Sequence, residues 1–290
     1  MNVRSLEWHA ANGDVISFTQ SPPFLLDTFM PGIPSGAPEV TRGVRTDGQT
    51  THHVTIEPLT PTMTGSIIAA AGSYDKAQER LDRLRRRLQA ALNPKRFGTL
   101  MYHNYSGSFR LRCRPITGAI FDKRFGNAHK IDIEWISDDP YWTAKDPQRL
   151  SVGLVRRLWR FPWAVAPTVF GSVLNAGYIT NPTDIDIYPV ITIASTESTS
   201  VTVGNRSTGV FTTINKSISP TQKLELDMAI PSVTLIDEDG TRTDATHWTT
   251  VDSVFPWYVL PGDNEIYSAV DNPELSPTIS VVWHLPEGGL

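Results

Sequence analysis

Over most of this chain apolar side chains recur at every second position, in short runs divided by turn residues. Only one stretch repeats them at helical steps. A period of two commits a segment to a strand with one buried face, because successive side chains on a strand point to opposite sides. The cleanest run is His129-Lys130-Ile131-Asp132-Ile133-Glu134-Trp135. Residues 6–10 and 14–18 form two more, and Asn12-Gly13 between them predicts a hairpin turn, since both residues tolerate positive φ. Residues 50–57, 63–70, 98–105, 108–115 and 116–121 read as further strands. After residue 168 every signal is β. Runs at 189–193, 200–203, 223–227, 233–236, 257–260 and 278–284 are separated by turns such as Asp237-Glu238-Asp239-Gly240 and Pro261-Gly262-Asp263-Asn264. That spacing suggests a β-sandwich.

The helical exception runs from about residue 74 to 92. Tyr74, Ala77, Leu81, Leu84, Leu88 and Leu92 recur at three- and four-residue steps and make one apolar stripe. Ser73 is placed to cap the helix, Asp75 suits its first turn, and Asn93-Pro94 ends it. The opposite face carries Arg80, Arg83, Arg85, Arg86 and Arg87. The fold class that follows is mainly β with one long amphipathic α-helix. Two segments fit neither period. Residues 21–48 are rich in Pro and Gly (Pro31 and Gly32 among them) and read as a long excursion, ordered by a neighbour or else a floppy surface loop. Residues 149–167 mix Arg156, Arg157 and Arg160 with Trp159, Phe161 and Trp163 and read as a linker or arm.

A chain of 290 residues favours two domains over one. The expected division is 1–144, a linker at 145–167, and 168–290. Charge supports it: residues 1–145 hold 18 Lys and Arg against 14 Asp and Glu, whereas residues 146–290 hold 8 against 16. No stretch reaches the roughly 18 apolar residues of a membrane span. Residues 1–14 carry Arg4, Glu7, His9 and Asp14 without an apolar core, so no secretory leader is expected. The single cysteine, Cys113, excludes an internal disulfide and reads as a buried strand thiol.

The order of these signals carries more than any one of them. An N-terminal hairpin, a Pro/Gly-rich excursion, strands, one helix ending at Asn-Pro and more strands finish in Asp139-Pro140-Tyr141-Trp142. An all-β module follows, with Asn175-Ala176-Gly177, then Tyr188-Pro189-Val190-Ile191-Thr192-Ile193, then the Pro-Gly-Asp-Asn turn at 261–264. In this order the chain resembles the distal tail protein family of long-tailed bacteriophages, the siphophage tail-component family. The resemblance covers nearly the whole chain. The 149–167 segment is longer than the short junction that family would have. The resemblance implies a ring-forming N-terminal domain and a galectin-like C-terminal β-sandwich. It implies a virion protein, made in the host cytoplasm and placed at the distal end of the tail. There a homo-hexamer would join the tail tube protein to the tail hub or tail-associated protein, with receptor-binding or side fibre proteins as further partners and DNA passing through the ring. A carbohydrate-binding adhesion module is the alternative.

Catalytic chemistry finds no support in the residues. No nucleophile elbow, zinc-binding His-Glu-Xaa-Xaa-His or phosphate-binding loop is present. Asp237, Glu238 and Asp239 lack the spacing of a calcium loop and read as a solvated turn. His52 and His53 point to opposite faces of one strand and do not converge on one metal. No cofactor, metal or catalytic residue is expected. The candidate contact residues are Pro31 and Gly32 in the excursion, Arg80, Arg83 and Arg87 on the helix, and Trp159 and Trp163 in the linker. The helix arginines read either as a solvated face or as a contact for DNA or an acidic partner. The linker tryptophans read either as packing anchors or as interface.

Overall fold

The computed structural model describes residues 5–41, 50–70, 73–152, 175–194, 200–270, 277–288 and 290. It divides into two compact units, Met1–Asp146 with Pro286–Leu290, and Pro147–Leu285.

The first unit holds β1 (Ser5–His9), β2 (Val15–Phe18), β3 (Phe24–Met30), β4 (Gly36–Thr41), β5 (Thr50–Ile56), β6 (Thr62–Ile68), α1 (Tyr74–Ala91), β7 (Gly98–Asn104), β8 (Gly107–Pro115), β9 (Ile120–Phe125), β10 (Ala128–Ile136) and β11 (Trp142–Ala144). Its main sheet runs β2-β1-β7-β8-β10-β6-β3, with β9 on β10 and β11 on β8. The two ends of this wall meet. Thr19 N donates to Phe24 O at 3.1 Å and Leu26 N donates to Thr19 O at 2.9 Å. Inside lie Leu6, Trp8, Phe18, Met63, Ile67, Tyr102, Ile131 and Trp135, all but excluded from solvent. The alternation at 129–135 is the cause: Ile131, Ile133 and Trp135 point inward while Lys130 and Glu134 face out. The helix buries Ala77, Leu81, Leu88 and Ala91 against this core, and Trp8 Nε1 donates to Ala91 O at 2.9 Å. Tyr74, counted in the stripe, is exposed, and Ser73 stands at the capping position without a capping side-chain bond.

The excursion expected at 21–48 is corrected. It contains β3, a strand of the main wall, and β4, which pairs with β5 as a separate two-stranded ribbon. Residues 42–49 lie outside the described residues. The strand expected at 116–121 also moves, to β9 at Ile120–Phe125, because residues 116–118 bend.

The second unit holds β12 (Gln148–Val152), β13 (Asn175–Asn181), β14 (Val190–Ala194), β15 (Val201–Asn205), β16 (Val210–Ile214), β17 (Lys223–Asp227), β18 (Ser232–Ile236), β19 (Arg242–Asp244), β20 (Gly262–Val270) and β21 (Thr278–Trp283). One sheet runs β12-β21-β14-β17-β18-β19 and the other β13-β20-β15-β16. Ile191, Leu224 and Val281 of the first share one core with Ile179, Val203 and Ile266 of the second, so this unit is a sandwich. Where a linker was expected from 145, residues 148–152 instead form β12 on β21, so the division falls at Asp146/Pro147. The stretch 257–260, read as a strand, makes only a bridge between Ile187 and Val259. Beyond β21, β22 (Pro286–Glu287) returns to the first unit and pairs with β11, Trp142 opposite Glu287 and Thr143 opposite Pro286.

Candidate interaction surfaces

The β4–β5 ribbon is exposed at every residue. Its register sorts the side chains into two unlike faces. Gly36 lies opposite Ile56, Pro38 opposite Val54 and Val40 opposite Thr51, which gathers Pro38, Val40, Val54 and Ile56 on one side. Glu39 opposite His53 and Ala37 opposite Thr55 make the other side polar. A bulge between Glu39 and Val40 sets His52 apart, and His52 Nε2 lies 2.9 Å from Thr41 Oγ1. A two-stranded ribbon alone is marginal in water. One with an uncovered apolar face is built to be covered. Met30 and Ile33, 67% and 85% exposed, extend the apolar surface at its base.

Pro31 and Gly32 set how the ribbon leaves the wall. Pro31 O accepts Trp142 Nε1 at 3.0 Å. Gly32 has φ +82°, and a Cβ there would meet Leu59 Cδ1 at 3.0 Å. Both are anchors of the junction and half-buried. Glu57 N donates to Ser35 O at 2.8 Å and Ser35 Oγ donates to Glu57 at 2.6 Å, closing the base.

The arginines on α1 are largely taken up within the first unit. Arg87 forms a fork on Asp14 at 3.1 and 2.6 Å and also donates to Val15 O, fastening the helix to the β1–β2 turn. This bonding holds the Asp14 carboxyl below its ordinary range. Arg80 donates to Ala70 O at 3.0 Å, Arg83 pairs with Glu79 at 3.0 Å, and Arg85 stacks 4.5 Å over Phe121. Among the described residues Arg86 alone of the five shows no such partner. Trp159 and Trp163 lie outside the described residues.

A second basic feature escaped the sequence reading. Arg110, Arg112 and Arg114 alternate on β8 with buried Leu111 and Cys113, and all three are exposed. Phe97 lies beneath two of them, 4.7 Å from the Arg112 guanidinium and 5.4 Å from that of Arg114. The signal was present as Phe109-Arg-Leu-Arg-Cys-Arg, a period of two in charge as well as in apolarity.

In the second unit three buried asparagines fasten one end of the sandwich. Asn205 Nδ2 donates to Asn264 Oδ1 at 2.9 Å, Asn264 Nδ2 to Leu260 O at 2.7 Å, and Asn181 Nδ2 to Ile185 O at 2.8 Å. These bonds brace the loops that present Tyr188 and Tyr258, whose rings lie 5.9 Å apart and are partly exposed. Burial, then Asp186, raises the Tyr188 phenol above its usual value.

Among the described residues no His, Cys, Asp and Glu side chains gather in threes to hold a metal. Burial raises the Cys113 thiol to about 12, so it stays protonated. Asp237 accepts Gln222 Nε2 at 2.6 Å, and Asp239 accepts Thr241 N at 2.9 Å within the hairpin turn.

Comparison with known proteins bears on both units. Residues 183–280 match the family described as siphovirus-type tail component, C-terminal domain. The Dit protein of phage SPP1, described as a paradigm of the hub adsorption apparatus in phages infecting Gram-positive bacteria, has a similar fold. The two superpose with a TM-score of 0.67 at 11% identity, over 99% of this chain and 100% of that one. A chain of the phage P2 baseplate in its activated conformation with calcium gives 0.56 at 8% identity, over 100% of both. Its strontium counterpart gives 0.54 at 8% identity, over 97% and 98%. No curated protein sequence matches.

Proposed function

We propose that this chain is a structural protein of the phage tail tip, a reading supported by the match of residues 183–280 to the siphovirus-type tail component family and by the likeness in fold to SPP1 Dit. It works by assembling, not by catalysis. In this reading the first unit forms a hexameric ring between the tail tube and the tail hub, and the second, a galectin-like sandwich, faces other baseplate parts. The observation that carries the reading is the likeness in fold to SPP1 Dit over 99% of this chain and 100% of that one. The β4–β5 ribbon supports the ring. A cyclic assembly needs a patch that fits a different patch on the next copy, and the exposed apolar face of the ribbon suits such a role. The saccharide-binding alternative is not carried further, since the family and the solved relatives are tail components. Electron microscopy of the purified chain tests the proposal. Six-fold rings with a central channel are expected, with light scattering giving six times the chain mass. A strict monomer at high concentration that is also absent from purified tail tips would sink it.

A further inference from the structure

The exposed arginine row on β8 is the strongest uncompensated charge among the described residues. Its neighbours explain why. By register Arg112 faces Thr99 and then His9, while Arg110 faces Met101 and then Glu7. Glu7 is two strands away and is held by His9 at 3.1 Å. Glu134 lies on β10, diagonal to Arg114, which pairs by register with Ile136. Among the described residues no carboxylate comes within ion-pair distance of the three guanidinium groups. Arg110 has only Thr143 Oγ1, at 3.3 Å. Partial burial lowers the proton affinity of Arg110.

We propose that the Arg110–Arg112–Arg114 face of β8 binds the phosphodiester backbone of duplex DNA without regard to sequence. Two features favour phosphates. The side chains are arginines, whose planar forks suit phosphate oxygens. Phe97 holds two of them in place, so less freedom is lost on binding. The face around the row is mixed: Thr99, His103 and Thr143 are half-buried, as are Phe97 and Ile136, and Met101 is buried. Two residues of strand advance about 6.7 Å, so the row spans about 13 Å. Over that length one DNA strand presents about four phosphates. This inference goes beyond the tail-tip reading and does not need it, although a ring with a DNA channel would give the face its use.

The test is fluorescence anisotropy of a labelled 20-base-pair duplex with the full chain, titrated with NaCl. Binding is expected at low salt, with a log–log salt slope near -2.7 for three neutralised phosphates and about 40-fold weakening from 50 to 200 mM. Arg112→Gln should lower the slope by about 0.9. The triple change to Gln at 110, 112 and 114 should weaken binding at least tenfold. Arg86→Gln on the helix should leave both readouts unchanged. Near-UV circular dichroism shows that each variant is folded. No binding at 20 mM NaCl overturns the proposal, and so does a triple variant that keeps the parent slope. Loss of oligomer mass in the triple variant without duplex binding overturns it too and assigns the face to a protein contact. Ring formation is read separately by mass, so failure of the tail-tip reading and failure of this one are distinct results.

Discussion

At the scale of single residues, two polar contacts do most to hold surface segments in place. The Arg87–Asp14 fork joins helix to hairpin across 73 residues of sequence. Arg87→Ala should cost about 1 kcal/mol, the upper range for an exposed pair with good geometry, measured by urea unfolding. Asp14 is held below its ordinary pKa mainly by its hydrogen bond to Arg87. Its contribution is therefore present above the unfolded carboxylate value and is lost as pH falls through the lower folded one. The variant should lose that acid-side dependence. Asn264 is 1% exposed and makes three hydrogen bonds around the 260–264 turn. Asn264→Ala strands Leu260 O, Gly262 O and Leu260 N and should cost about 2–3 kcal/mol. The loss should appear as a lowered denaturation midpoint of the second unit, followed by Trp257 fluorescence.

At the scale of elements, the ribbon separates assembly from stability. Val54→Ser with Ile56→Ser should leave thermal unfolding within about 0.5 kcal/mol, because neither side chain is buried in the isolated chain. The same pair should dissociate the oligomer in light scattering. A stable ring in the double variant would remove the ribbon from the interface. The ribbon also shows where sequence reading fails. The His129–Trp135 strand is legible because its period runs unbroken and each inward position is apolar. Phe24–Met30 is not, because a bulge between Leu26 and Thr28 shifts its parity, and prolines crowd its flanks. β4 hides for a related reason, a bulge at Glu39/Val40, whereas its partner β5 is legible as the alternation at 50–57. The candidate contacts fared by the same logic. Charge along the helix was visible, but Asp14, which binds Arg87, lies 73 residues away and no local pattern reports it. The β8 arginines were legible in principle, since their period of two puts all three on one face.

At the scale of the whole molecule, the described residues form two cores, one per unit. Calorimetry should resolve two unfolding transitions. Removing residues 286–290 should lower only the first unit's, because β22 pairs with β11 and Leu290 packs on the first core. A shift confined to the second unit's transition would contradict the division. The return of the chain through β22 has one more consequence. The strand before the second unit and the strand after it lie paired in the first, so the host structure is closed at its own cut ends. It is a socket. Whatever is inserted between Asp146 and Pro286 leaves and re-enters the first unit through two paired strands, so the host need not be relinked to accept a larger, smaller or unrelated insert. Replacing 147–285 by a short turn should yield a free-standing first unit with its own cooperative melt, on which other heads can be mounted.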